Sequence, residues 1–96
     1  AMTVQEAKNK LYRFCAYQER CHQEVEQKLS EFGIRGDEVD DIIHHLIQEG
    51  FLNEERFARV FAIGKFRLKQ WGRLKIISEL EQRNLSKHCI QSGLNE

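Results

Sequence analysis

Histidine and cysteine side chains are the first candidates for chemistry in this chain of 96 residues, because they bind metals and act as acids, bases or nucleophiles. His44 and His45 are neighbours, and neighbouring side chains on a helix point about 100° apart, so they cannot share a metal ion as an i, i+4 pair does. Cys15, Cys21 and His22 lack the CxxC and HExxH spacings of zinc sites. We therefore predict buried or half-exposed thiols and no metal site.

Acid–base and phosphate chemistry have equally little support. Asp40 and Asp41 are adjacent on a predicted helix, where such carboxylates are typical of a solvated face rather than of an acid–base pair. The sequence has no GxGxxG or GxxxxGK[ST] phosphate loop. We therefore predict that the protein is not an enzyme and needs no cofactor.

The placement of charges is more informative than their sum. The chain has 15 basic and 15 acidic residues and a net charge of zero, yet residues 37–55 hold seven acids and no Lys or Arg. Residues 56–75 hold seven bases and no acid, with Phe66 and Trp71 among them. Bases interleaved with aromatic residues can follow a phosphate backbone and stack on a base, or can engage an acidic protein groove.

We predict a binding surface within this basic stretch. Its residues, called the basic surface below, are Lys65, Arg67, Lys69, Trp71, Arg73 and Lys75. Two alternatives stay open. Trp71 can instead be buried between two helical units. The acidic third helix can also simply pack beside the basic fourth and fifth helices, where each exposed ion pair would stabilise the fold by about 0–1 kcal/mol.

The elements that must position these residues are predicted to be helices, because the chain has no proline and many strong helix formers. Thr3 and Glu6 have capping-box spacing, which predicts a first helix from about Thr3 to about Tyr17. Five further helices with short turns are predicted from caps and breaks. These signals are Gly33 after the second helix, Asp37 and Gly50 around the third, Asn53 before the fourth, Gly72 before the fifth and Ser86 before the sixth.

In each predicted helix the apolar residues recur at intervals of three or four positions, and this spacing predicts the side of the helix that faces a core. The predicted inward positions are Val4, Ala7, Leu11, Phe14; Val25, Leu29, Phe32; Val39, Ile42, Ile43, Leu46, Ile47; Phe57, Val60, Phe61, Gly64, Leu68; Leu74, Ile76, Ile77, Leu80; and Ile90, Leu94.

A period of 51 residues relates the two halves of the chain. It separates Ala7 from Ala58, Val25 from Ile76, Leu29 from Leu80, Ile34 from Leu85, Val39 from Ile90 and Ile43 from Leu94. A fixed period of this size is the signature of tandem helical units whose stacked neighbours share a core. We therefore predict an all-α, elongated and curved array of two three-helix repeats, residues 1–51 and 52–96, the second with a short or truncated third helix.

Three motifs resemble the RecX family, the regulators of the bacterial RecA recombinase. Gly50–Ala58 (GFLNEERFA) resembles the family's G-[YF]-L-[DN]-[DE]-x-R-[FY]-A segment. Lys69–Gly72 with Ile76, Glu79–Leu80 and Arg83–Leu85 resembles K/R-x-[YWF]-G-x-x-x-I-x-x-E-L-x-x-[KR]-G-I, and Glu24–Leu29 is similar to E-L-x-x-K-L. The ordered set extends from about residue 11 to about residue 94.

The resemblance implies tandem three-helix repeats, usually three, that bind along the groove of the RecA–DNA filament. It implies inhibition of filament growth, strand exchange and ATP hydrolysis, and so a role in DNA repair and the SOS response. DNA, single- or double-stranded, is a further implied partner, and the protein is expected to be a monomer. The family pattern places basic residues near the middle helix of the second repeat, here Lys69, Arg73 and Lys75.

The sequence departs from the family pattern at three points. Cys21 stands where the family has a capping serine, so we expect the second helix to start weakly or to be capped by water. Asn84 replaces a glycine, which is tolerable because Asn also adopts the left-handed conformation. No third repeat follows residue 96, so either the chain is a fragment or this member works with two repeats. Ala1 before Met2 resembles a residue left by cloning, which favours a fragment.

Two other functions remain open at this stage. The chain can be a small helical DNA-binding module of another regulatory class, or an interaction module whose acidic helix, residues 37–50, recruits a basic partner. A cytoplasmic protein is expected in each case, because the sequence shows no leader peptide, no apolar run of membrane-spanning length and an odd number of cysteines, three.

Overall fold

The computed structural model describes Met2–Asn95, and these residues contain six α-helices and no β-strand. The helices are α1 (Val4–Tyr17), α2 (His22–Glu31), α3 (Asp37–Gln48), α4 (Glu54–Lys69), α5 (Arg73–Gln82) and α6 (Lys87–Leu94). The chain divides into two compact units of three helices each, Ala1–Asn53 and Glu54–Glu96, called the first and second unit below. The all-α prediction is confirmed.

Side-chain caps begin two of the helices as predicted. The Thr3 hydroxyl accepts a hydrogen bond from the Glu6 N–H at 3.1 Å, and the Thr3 N–H donates to the Glu6 carboxylate at 3.0 Å. The hydrogen bond from the Thr3 N–H to this carboxylate, and after it the Thr3 side chain beside the same carboxylate, lower the pKa of Glu6. The Ser86 hydroxyl accepts from the Cys89 N–H at 3.1 Å in the same way.

Two other helix starts differ from expectation. Gly36, with a φ of 71°, is the N-cap of α3, so the prediction of Asp37 as the cap was wrong. Asp37 lies in the first turn instead, where a carboxylate favours the positive end of the helix dipole. Cys21 is the fully buried N-cap of α2, and its N–H donates to the Glu24 carboxylate at 3.1 Å. Glu24 therefore bonds the N–H of the N-cap residue itself, as the glutamate of a capping box does.

Each unit has its own core. The buried cluster of the first unit consists of Ala7, Leu11, Cys15, Val25, Leu29, Ile34, Ile42, Leu46 and Leu52. Residues beyond α3 complete it, because Leu52 is buried and donates its N–H to the Leu46 carbonyl at 3.2 Å, while the Phe51 ring lies 4.8 Å from the Tyr12 ring. The buried apolar residues of the second unit are Phe57, Ala58, Ile76, Leu80, Leu85 and Ile90.

The 51-residue repeat is confirmed at the level of burial and backbone conformation. Leu29 and Leu80 are both fully buried, and so are Ala7 and Ala58. Gly33 and Asn84 both have a positive φ, 79° and 64°, at the turn that follows the second helix of each unit. The left-handed conformation predicted for Asn84 is therefore present, and it reverses the chain as a glycine would.

In the second unit α4 and α6 cross at very close range. A Cβ atom added at Gly93 of α6 would lie 2.6 Å from the Ala58 Cβ, 2.8 Å from the Glu55 carbonyl oxygen and 3.0 Å from the Arg59 nitrogen. Real Cβ atoms do not approach other atoms so closely, so this crossing requires a residue without a side chain.

Four residues predicted to face inward are exposed instead. Ile47 and Val60 are 43% and 47% exposed, and Leu68 and Leu74 are 85% and 84% exposed. For Leu68 the reason is the length of the helices: α4 has 16 residues and α6 has eight, so α4 is about 12 Å longer than α6. The buried residues of α4, Phe57 and Ala58, lie in its first half, and its later turns extend beyond the core.

Candidate binding surface on the second unit

The end of α4 places Trp71 between two helices. Gln70 follows the last helical residue with a φ of 58°, in the left-handed region, and its N–H donates to the Phe66 carbonyl at 3.1 Å. The Trp71 N–H donates to the Lys65 carbonyl at 3.2 Å, and Gly72 then caps α5 in an extended conformation. The tight turn therefore fixes the backbone of Trp71 against the last turns of α4.

Replacing Gln70 by glycine is expected to stabilise the second unit by about 0.5–1 kcal/mol, because the left-handed conformation costs a residue with a Cβ about 1 kcal/mol or more. Chemical denaturation followed by Trp71 fluorescence measures the change. The matched control is Gln91→Gly in α6, which has no positive φ and is expected to destabilise by a similar amount. A loss of stability in both variants would contradict the strain at Gln70.

The Trp71 ring is the centre of a cation–π cluster. Its edge contacts the Phe61 ring, with 6.2 Å between the ring centroids. The Lys65 ammonium lies 5.0 Å from the Trp71 centroid and the Lys75 ammonium lies 4.6 Å from it. Both distances are within the range at which a cation is attracted to a ring face. The structure therefore brings together Lys65, Trp71 and Lys75 of the basic surface, and Trp71 remains half-exposed.

Arg83 and Glu79 extend this cluster, and the predicted basic surface does not include them. The Arg83 guanidinium lies 4.8 Å from the Phe61 centroid, and Arg83 Nη1 donates to the Glu79 carboxylate at 3.1 Å and to the Glu79 carbonyl at 2.9 Å. Phe61 also stacks on Phe57 at 5.6 Å, which joins the cluster to the core. The i, i+4 spacing of Glu79 and Arg83 was a usable signal, because such pairs meet on a helix.

The remaining basic residues are free to meet a partner. Arg67, Lys69 and Arg73 are exposed, and none of them contacts another charged or aromatic side chain within the part of the chain that the structure describes. The structure thus does not gather these three around Trp71. They present positive charge that no carboxylate of residues 2–95 neutralises by direct pairing.

Exposed apolar side chains alternate with these bases. Phe66 and Leu68 lie within the basic end of α4, and Leu74 lies between Arg73 and Lys75 at the start of α5. Large apolar side chains that remain exposed beside polar ones are characteristic of surfaces that bind proteins. The arrangement can therefore supply both charge and apolar area to a partner.

The described residues contain neither a cluster of side chains that could hold a metal ion nor a helix that could span a membrane. No three or more His, Cys, Asp or Glu side chains of residues 2–95 are arranged so that they could hold a metal ion. Over the same range, none of the helices has both the length and the apolar character needed to cross a membrane.

Comparison with known proteins places both units in one family. The family model described as RecX, first three-helix domain, matches residues 7–46, and the model described as RecX, second three-helix domain, matches residues 53–94. No solved structure gives a significant match.

The curated relatives that match this chain include three proteins named Regulatory protein RecX from different bacteria. The protein of Halorhodospira halophila is 33% identical over 84 residues, which cover 88% of this chain and 52% of that protein. The protein of Lactobacillus johnsonii is 31% identical over 83 residues, 86% of this chain and 31% of that protein, and the protein of Finegoldia magna is 26% identical over 83 residues, with coverages of 86% and 40%. The chain thus spans between about a third and a half of these relatives. With two consecutive domains matched in the family's order, the chain belongs to the RecX family.

Proposed function

We propose that this chain binds the filament that RecA recombinase forms on DNA, and that it inhibits the recombinase and ATPase activities of RecA during DNA repair and the SOS response. Membership of a family of regulatory proteins supports the regulatory role. The resemblance of its motifs to regulators of RecA supports the choice of partner. We further propose that each unit is one repeat, with the boundary predicted between residues 51 and 52 moved to follow residue 53, because Leu52 completes the core of the first unit.

The basic surface of the second unit is the observation that carries the proposal. Lys65 and Lys75 hold Trp71 by cation–π contacts, so the aromatic side chain is already ordered before a partner binds. Ordering in advance lowers the entropy cost of binding. The unpaired Lys69 and Arg73 then attract an anionic partner, and the neighbouring Leu68 supplies apolar area.

Replacing Lys69, Arg73 and Lys75 by alanine is expected to weaken inhibition of RecA at least about tenfold, because three cationic contacts are lost together. The measurement is the rate of ATP hydrolysis by RecA on single-stranded DNA, as a function of the concentration of this chain. All three side chains are exposed, so circular dichroism is expected to show an unchanged fold.

The matched control removes the same charge elsewhere. Lys8, Arg35 and Lys87 lie outside the basic surface, and their replacement by alanine is expected to leave inhibition within about twofold of the original chain. If both triple variants lose inhibition equally, net charge rather than this surface is responsible. If neither loses it, the assigned surface is wrong.

A small DNA-binding module is the second candidate function, and the unpaired Arg67, Lys69 and Arg73 favour it. Proteins that neutralise several phosphates lose affinity steeply as salt rises. Binding of duplex DNA by this chain alone, with such a salt dependence and without RecA, supports this alternative. Charge reversal at Asp40 and Asp41 tests the remaining possibility, an acidic helix that recruits a basic partner.

A further inference from the structure

A second cationic region lies on the first unit, far in sequence from the basic surface. A shallow groove of about 450 Å³ runs between the last turns of α1 and the side of α2. Its lining contains four cationic and three aromatic side chains and, among the described residues, no carboxylate. The proposed function does not use this groove.

The inner wall of the groove is fixed by internal contacts. The Arg20 guanidinium lies 3.7 Å from the Phe14 centroid, and its Nε–H donates to the Phe14 carbonyl at 2.9 Å. Arg20 also pairs with Glu24 at 3.7 Å. The Lys28 ammonium lies 5.4 Å from the centroid of the same ring and 3.4 Å from the Glu31 carboxylate, with which it forms an ion pair. Arg20 and Lys28 therefore form the inner wall, and each is paired with a glutamate of the first unit.

The outer wall has the opposite character. Lys10, Arg13 and Tyr17 lie on successive turns of α1, and positions three and four apart share one helix face. Tyr17 is 83% exposed, and Lys10 and Arg13 are exposed too. Arg13 forms no ion pair with any residue from 2 to 95. Lys10 lies one turn after Glu6, and its charge acts on that carboxylate. An exposed tyrosine thus lies beside Arg13, which has no ion pair, and beside an exposed Lys10.

We propose that this groove binds a single nucleic-acid strand, with a base stacked on Tyr17 and phosphates bound by Lys10 and Arg13. Aromatic rings and cations in a groove are the combination that binds single strands without sequence preference. From residue 10 to residue 17 the helix rises by about 10 Å, about three times the axial rise per nucleotide in one strand of a duplex. That length exceeds a single nucleotide, and the exposed Tyr17 ring offers a stacking face that an acidic peptide without aromatic side chains would not use.

The test measures the affinity of a fluorescent thymidine oligonucleotide for the whole chain by anisotropy. It uses a background in which Lys69, Arg73 and Lys75 are alanine, so that the basic surface cannot mask the result. Tyr17→Ala is expected to weaken binding about fivefold or more, the usual loss when a stacking ring is removed, and Tyr17→Phe is expected to retain it. Arg13→Gln is expected to weaken binding and to lower its salt dependence.

An abasic oligonucleotide with the same number of phosphates separates stacking from charge. Tyr17→Ala is expected to leave its binding unchanged, and amide shifts in nuclear magnetic resonance are expected to concentrate on residues 10–17. The proposal is overturned if Tyr17→Ala has no effect, if it weakens both oligonucleotides equally, if the shifts lie only in residues 65–75, or if polyglutamate binds with the same affinity and the same Tyr17 dependence. None of these results involves RecA, so failure here is distinct from failure of the proposed function.

Discussion

Replacing Leu29 by alanine is expected to lower the free energy of unfolding of the first unit by about 2–5 kcal/mol, the range for a buried leucine whose removal leaves a cavity. Leu29 is fully buried in a cluster to which α1, α2 and α3 all contribute. A unit of this size has a total stability of only about 3–8 kcal/mol. The loss therefore approaches the whole stability of the unit.

Residue-resolved hydrogen exchange measures this effect, because it reports on amides of the first unit separately. Amides in the middle of α1, α2 and α3 are expected to lose most of their protection. Leu74→Ala is the matched control, since it is the same substitution at a side chain that is 84% exposed, and it is expected to change stability by less than about 0.5 kcal/mol. Similar losses in both variants would show that burial at Leu29 is not the cause.

Replacing Gly93 by alanine is expected to destabilise the second unit by about 1–2 kcal/mol, even though alanine is the better helix former. The new methyl group would lie 2.6 Å from the Ala58 Cβ and 2.8 Å from a backbone oxygen, so α4 and α6 must separate. Overpacking of this kind costs about 1–3 kcal/mol, against a gain in helix propensity of about 0.5–1 kcal/mol. Trp71, the single tryptophan of the chain, reports unfolding of the second unit by fluorescence.

Gly64 of α4 provides the control for this prediction. A Cβ atom at Gly64 meets no atom within 4 Å, so Gly64→Ala gains only the propensity and is expected to stabilise by about 0.5–1 kcal/mol. The opposite signs at two helical glycines are the discriminating result. Stabilisation at both positions would contradict the close contact of α4 and α6 at Gly93.

Local chemistry explains why much of the fold could be predicted. The caps at Thr3 and Ser86 depend on residues three positions apart, and the structure confirms both. The 51-residue period indicated the correspondence of Leu29 with Leu80 because equivalent core positions must be apolar in both units. Gly36 displaced Asp37 as the cap of α3 because its positive φ turns the chain one residue earlier.

Exposure along α4 and α5 could not be predicted in the same way. Apolar spacing indicates the side of a helix that faces a core, but it does not indicate how far the neighbouring helices extend along it. Leu68 and Leu74 fit the spacing and are nevertheless exposed. Gln70 gave no warning either, because glutamine rarely adopts a left-handed conformation, whereas Asn84 does so more readily.

The candidate sites show a similar division. Counting charges located the bases of the second unit, because they occur in a stretch without acids. It did not indicate that Lys65 and Lys75 both lie over Trp71, which depends on the turn at Gln70. The groove of the first unit escaped notice because its four cations are spread over residues 10–28, on two helices and the turn between them, with Glu19, Glu24 and Glu26 interspersed. Only the fold brings these cations to one groove.

The position of Leu52 has a consequence for how the protein emerges from the ribosome. Leu52 and Phe51 complete the core of the first unit, so that unit lacks its last buried side chain until residue 52 has left the exit tunnel. From that point all residues of this core are outside the ribosome. Its contacts join residues that are close in sequence, and such contacts form fast. The first unit can therefore reach its native state during translation, while the second unit is still being synthesised.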